Sequence, residues 1–172
     1  MKMSGEEVIP AAREAVWTAL NDPDVLKKAI PGCQEIHKTS DTDFDAKVVV
    51  KIGPVKATFT GLVHLSDLNP PASYRISGEG KGGVAGFASG GASVRLDEVS
   101  EGTKLSYDVD AQVGGKLASL GSRLIDSTAR SLATQFFERF AAIASGGPSA
   151  PEPVPSGETP AKKSILGLFK RS

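Results

Sequence analysis

Cysteine is all but missing from this chain of 172 residues. Cys33 stands alone, so no intramolecular disulfide can form, and zinc sites of four cysteines, or of two cysteines and two histidines, are excluded by count. A lone thiol suits a reducing compartment. Charge of one sign is also lacking: 20 Lys and Arg balance 20 Asp and Glu, which leaves no nucleic-acid footprint. No run reaches the ~20 apolar residues that span a bilayer. The segment Met1–Val8 has no apolar stretch of the kind that marks a signal peptide. Neither GxSxG nor HExxH occurs, which removes the nucleophile elbow and the zincin helix. What remains is an ordinary globular composition, 40% hydrophobic and 23% charged, at a length that suits one domain.

The periodicity orders that domain. Residues 1–9 read as a short strand ending at Pro10, and Ala12, Ala15, Val16 and Leu20 fall on one side of a helix stopped by Asn21-Asp22-Pro23. Asp24 to Ile30 makes a second helical turn before Pro31-Gly32. The period then changes from 3.6 to 2. Phe44, Ala46, Val48, Val50 and Ile52 alternate with polar residues, and Val55 to Leu65 repeats the pattern after Gly53-Pro54. Tyr74 and Ile76, then Ala92, Val94 and Leu96, then Leu105 to Val113 supply three further runs. Short loops between them predict an antiparallel meander. From Lys116 to Ala144 a helical stripe returns, running from Leu117 and Leu120 to Phe140 and Ile143. The expected fold class is α+β, a curved antiparallel sheet gripping a long C-terminal helix.

Composition shifts after Ser145. The domain is expected over residues 1–145, followed by a disordered Pro/Gly/Ser-rich linker over 146–161 and an apolar-basic end over 162–172. The domain holds 16 basic and 18 acidic residues, whereas the end carries Lys162, Lys163, Lys170 and Arg171 with no acid. Among these basic residues stand Ile165, Leu166, Leu168 and Phe169, a pattern that predicts reversible attachment to an anionic membrane surface.

Strand, two small helices, meander and long helix form the order of the START-like (SRPBCC) helix-grip superfamily. Within it the chain resembles the CoxG family, the G subunits of carbon monoxide dehydrogenase. The resemblance rests on Gly5-Glu-Glu-Val-Ile-Pro-Ala-Ala-Arg-Glu-Ala-Val-Trp17, Asn21-Asp-Pro23 and Ala29-Ile-Pro-Gly-Cys33. It rests also on Val48-Val-Val-Lys-Ile-Gly-Pro-Val55 and on Gly78-Glu-Gly-Lys-Gly82. It implies an accessory protein of a molybdenum hydroxylase of the carbon monoxide dehydrogenase type. The implied work is membrane recruitment of that enzyme, or carriage of a quinone (menaquinone or ubiquinone) with no covalently bound cofactor. The implied location is cytoplasmic, peripheral on the inner face of the membrane. No catalytic residue transfers.

Several motifs carry two readings. Gly78 to Gly83 matches GxGxxG, but no helix follows it, so dinucleotide binding lacks its structural context. The glycines from Gly78 to Gly91 suit bulges in a bending sheet, or a mobile rim carrying Phe87. His64 falls on the polar phase of its strand, and neither histidine has a nucleophile nearby in sequence. Cys33 reads as a small residue buried after a turn. The inward phases supply Phe59, Tyr74, Ile76, Tyr107 and Val109 against Leu124, Thr128, Leu132 and Phe136, interspersed with alanines and glycines. These are the candidate ligand-binding residues, Phe87 among them, of an apolar pocket for a hydrophobic small molecule. A filled core is the alternative. The functional expectation is therefore a non-catalytic lipophile carrier, with a solid recruiter or a START-like cyclase or hydrolase as competing readings.

Overall fold

Alternating side chains make every one of the expected runs a strand. In the computed structural model, which describes residues 1–146, the strands are β1 Lys2–Ile9, β2 Cys33–Lys38, β3 Asp43–Ile52 and β4 Val55–Asn69. They continue as β5 Ser73–Lys81, β6 Phe87–Val99 and β7 Gly102–Gly114. All pair antiparallel in one seven-stranded sheet of order β1-β7-β6-β5-β4-β3-β2. The inner face follows directly from register. Phe44 opposes Val63, Leu65 opposes Ile76, Tyr74 opposes Val94 and Leu96 opposes Leu105, so one phase of each strand turns its apolar set the same way.

The helices cover that face. Helix α1, Arg13–Leu20, is closed by Asn21, whose amide nitrogen donates to the Trp17 carbonyl at 3.0 Å. Asp22 then caps α2, Pro23–Ala29, by accepting from the Asp24 amide at 2.9 Å, with Pro23 preset for the first turn. The helix stop read in Asn21-Asp22-Pro23 is thus also a start. Helix α3, Ser122–Ala144, lies along the concave side. At its C-terminal half Phe140 is fully buried with Ile9, Val16, Leu96 and Leu105. Thr103 is fully buried there too, its hydroxyl donating to the Ala11 carbonyl at 2.7 Å, so the polar group is satisfied.

Three expectations need correcting. The stripe from Lys116 to Ala144 is not one helix: Gly115–Leu120 is a 3₁₀ segment, and Gly121, at φ +91°, turns the chain before α3. Periodicity in side chains is blind to that break, because Leu117 and Leu120 stay on the buried side. The glycines of 78–91 form no bulge; Gly78 pairs with Gly90 and Gly80 with Ala88 in unbroken register. At Gly90 the need is for close approach, since a Cβ there would collide with the Asp110 carbonyl oxygen. Finally, β2 makes a seventh strand of the sheet, although its residues alternate poorly. It is an edge strand, and a register shift interrupts its pairing between Cys33 and Glu35.

Two apolar clusters result. The larger occupies the end of the sheet under α1, α2 and the last turns of α3. The smaller sits at the opposite end, where Val55, Ala85 and Leu117 are buried with Phe59, Ile52 and Leu120 packed on them. No described helix is long and apolar enough to cross a membrane. The expected linker, and the expected membrane-binding end at Lys162, Lys163, Ile165, Leu166, Leu168, Phe169, Lys170 and Arg171, fall outside the described residues.

Candidate functional site

Between sheet and α3 the side chains meet in places, as Tyr107 meets Phe137, and elsewhere leave space. They border a partly open cavity of about 440 Å³, within the range of small-molecule sites. Its walls come from every layer of the fold: Met3 of β1, Leu26 of α2, Val48 and Val50 of β3, Ala92 of β6, and Leu132, Ala133, Phe136 and Phe137 of α3. Protein interiors ordinarily fill such space.

The lining is apolar except for two phenols, Tyr74 and Tyr107. Tyr74 is held by an edge-on contact with Trp17, ring centroids 5.2 Å apart. Burial alone pushes its phenol far above the usual tyrosine range. Tyr107 stacks on Phe137 at 5.3 Å, and Phe136 in turn stands edge-on to Phe137 and stacked on Phe140. Its phenol is also raised, by burial first and by the Glu7 carboxylate second, with Arg130 acting against them. Both rings line the otherwise apolar cavity. Gly5 of β1 makes room for this arrangement: a Cβ there would lie 2.6 Å from the Tyr107 hydroxyl oxygen.

The sequence-derived candidates divide cleanly. Tyr74, Ile76, Tyr107, Val109, Leu132 and Phe136 all line the cavity. Phe59, Phe87, Leu124 and Thr128 do not. Phe59 shares the inner phase but lies further along β4, in the smaller cluster, beside Gly82. Phe87 lies over Gly114 and is half exposed, and Leu124 rests near Gly53 at the same end of the molecule. Thr128 is half-buried on α3 away from the lining. Of the small residues expected to leave volume, Ala92 alone borders the cavity. Ala133 and Phe137 line it without having been singled out by the sequence. A stripe of every fourth residue drifts around a helix of 3.6 residues per turn, so the cavity face passes from Leu132 and Phe136 to their neighbours. The walls from α2 and its exit, Leu26, Ile30 and Pro31, were equally unmarked, since only three-dimensional docking gives a signal for them.

His37 and His64 sit on the outer face, their Nδ1 atoms 2.9 Å and 2.8 Å from Asp45 and Asp43 carboxylate oxygens. Hydrogen bonds from Ser40 and His64 hold the Asp43 carboxyl below its usual range. Among the described residues, no serine or cysteine is bonded to either imidazole. Cys33, half-buried, has its thiol pushed up by burial, which disfavours the nucleophilic thiolate.

The family model for CoxG, described as the G subunit of carbon monoxide dehydrogenase, matches residues 5–145. Among solved structures, a conserved protein from Geobacillus kaustophilus is 28% identical with a TM-score of 0.79, covering 85% of this chain and 96% of its own. The Zhui aromatase/cyclase from Streptomyces sp. R1128 is 14% identical with a TM-score of 0.57, over 84% of this chain and 93% of its own. Ara h 8.0201 is 13% identical with a TM-score of 0.60, over 86% and 99%. The last two share the helix-grip fold and carry no more than that. No curated protein matches the chain.

Proposed function

The chain belongs to the CoxG family of carbon monoxide dehydrogenase, and on that premise we propose that it is a non-catalytic carrier. It takes up a lipophilic molecule, a quinone of the menaquinone or ubiquinone type, and brings it to a molybdenum hydroxylase of the carbon monoxide dehydrogenase class. The observation that carries this reading is the cavity of about 440 Å³ whose lining is apolar but for Tyr74 and Tyr107. The ring of a quinone offers two carbonyl oxygens, which accept hydrogen bonds from phenols. Its faces suit the stacked Tyr107–Phe137 and Phe136–Phe140 pairs. A hydrogen bond made in a low-dielectric chamber orients the ring, and leaving the buried donor unpaired costs ~1–3 kcal/mol.

The end of the chain gives the carrier its route. Each apolar side chain of Ile165, Leu166, Leu168 and Phe169 contributes at most ~1.5–3 kcal/mol when fully buried. Each basic neighbour adds ~1 kcal/mol at an anionic leaflet. Ordering the segment costs ~1–2 kcal/mol per residue, so attachment is reversible and peripheral.

Binding is tested by fluorescence of Trp17, which touches Tyr74. Titrating the full chain with decyl-ubiquinone should quench it saturably, and Tyr107→Phe should weaken binding about five- to tenfold. Unsaturable quenching, equal in both proteins, would count against the carrier.

A further inference from the structure

At the end of the domain opposite α1 and α2, three segments converge. They are the β3–β4 turn at Gly53-Pro54, the loop from Lys81 to Phe87 with its 3₁₀ turn Gly83–Ala85, and the stretch from Gly114 into the start of α3. The smaller apolar cluster ties them together, and Lys81 pairs with Phe87, which pairs with Gly114. Residues 50–60, 80–89 and 113–124 contain five basic residues, Lys51, Lys56, Lys81, Lys116 and Arg123, and no acidic one. All five are exposed, and none takes part in an ion pair among the described residues. The rest of the domain to residue 145 holds 11 basic and 18 acidic residues. Within residues 1–145 this end is thus basic and the remainder net acidic.

That same basic end carries the most exposed large apolar side chain of the described residues, Val84, at 94% exposure, with Phe87 at 51% beside it. Gly83, at φ +62°, and Gly86, at φ +111°, bend the chain so that Val84 projects while Ala85 is buried beneath it. An apolar apex on the same end as five exposed cations matches a bilayer interface, where apolar groups enter and cations meet headgroup phosphates. A nucleic acid would use the cations and leave Val84 unsatisfied.

We propose that this tip is a second membrane contact, in which Val84 and Phe87 enter an anionic leaflet while Lys51, Lys56, Lys81, Lys116 and Arg123 face its headgroups. It is independent of the chain's apolar-basic end. It sets an orientation for the domain that attachment by the chain's end alone does not define, and it brings Val50 of the cavity wall, which neighbours Lys51, toward the membrane.

The test uses the full chain with vesicles of phosphatidylcholine and phosphatidylglycerol. Val84→Trp, at an exposed position, introduces an indole that brominated lipid should quench, whereas Trp17 of the parent protein should not respond. The pair Lys81→Gln and Lys116→Gln should lower partitioning about thirtyfold, near fivefold per basic residue. Phe169→Asp separates the two contacts. If it removes binding while Lys81→Gln/Lys116→Gln does not, the chain's end alone holds the membrane and the tip proposal fails. If the tip variants lose binding and Phe169→Asp keeps it, the tip stands and the tether reading fails. An unquenched indole in a vesicle-bound chain also overturns the tip.

Discussion

The two halves of α3 face the same sheet and meet it differently. Around Phe140 the helix closes on Ile9, Val16 and Leu96 with almost no exposed surface left. One to two turns earlier, Leu132, Ala133, Phe136 and Phe137 are only half-buried and border a void. Both regions are apolar, so hydrophobicity does not distinguish them. The difference is local: Phe140 is closed in by its neighbours, whereas Leu132 and Ala133 face the space that Leu20 of α1 and Leu26 of α2 also border. The solid end supports the fold, and the hollow middle is thereby free to serve another purpose.

Truncation should separate the two regions most strongly. Phe140→Ala is expected to cost ~3–5 kcal/mol by chemical denaturation, the usual penalty for an emptied core site. Leu132→Ala, which already borders empty space, should cost ~2 kcal/mol or less, at the low end of such changes. Equal losses would mean that the middle is as tightly packed as the end.

Enlargement should reverse the order. Ala29 is fully buried in the solid region, and Ala29→Phe is expected to lose ~1–3 kcal/mol through overpacking. Ala92→Phe, at the cavity wall, should leave stability unchanged or raise it by up to ~2 kcal/mol, while blocking decyl-ubiquinone uptake. Ala133→Phe should behave alike. A melting temperature that falls as far for Ala92→Phe as for Ala29→Phe would deny the void.

Alkaline titration gives a smaller effect. Burial raises both phenols, so absorbance at the phenolate band should stay flat through the ordinary tyrosine range near pH ~10. A raised folded value contributes stability that is complete below the unfolded value and is lost as pH climbs past it. Denaturation midpoints should therefore hold steady to about pH 10 and then fall, and Tyr74→Phe should soften that fall. A normal titration of both tyrosines would place them in water.

The least dramatic contrast is in exchange. Amides of 82–86 should exchange faster than those of Val48 to Ile52, because the loop has few buried neighbours and the strand is laddered into the sheet. The flanking glycines 78–80 and 90–91 should resemble the strand. Uniformly fast exchange from Gly78 to Gly91 would revive a mobile rim.

Much of this was legible in the chain. Alternation from Phe44 to Val113 marks the inner phase, and it places Tyr74, Ile76, Tyr107 and Val109 on one face by pattern alone. It cannot say how far along a strand the cavity lies. Phe59 has the right phase and the wrong position, since strand coiling carries it to the smaller cluster. Nor does helical periodicity reveal that Gly121 ends one segment and starts another. The basic tip was equally hidden, because Lys51, Lys56, Lys81, Lys116 and Arg123 are scattered in sequence and converge only when the hairpins fold.

Native mass spectrometry of the full chain, purified without detergent from a quinone-producing host, tests the carrier most directly. The expected spectrum shows one lipophilic molecule per chain, with the mass of a host quinone, removed by organic extraction and absent from Ala92→Phe. A bare chain that also fails to take up added menaquinone or ubiquinone would contradict the account.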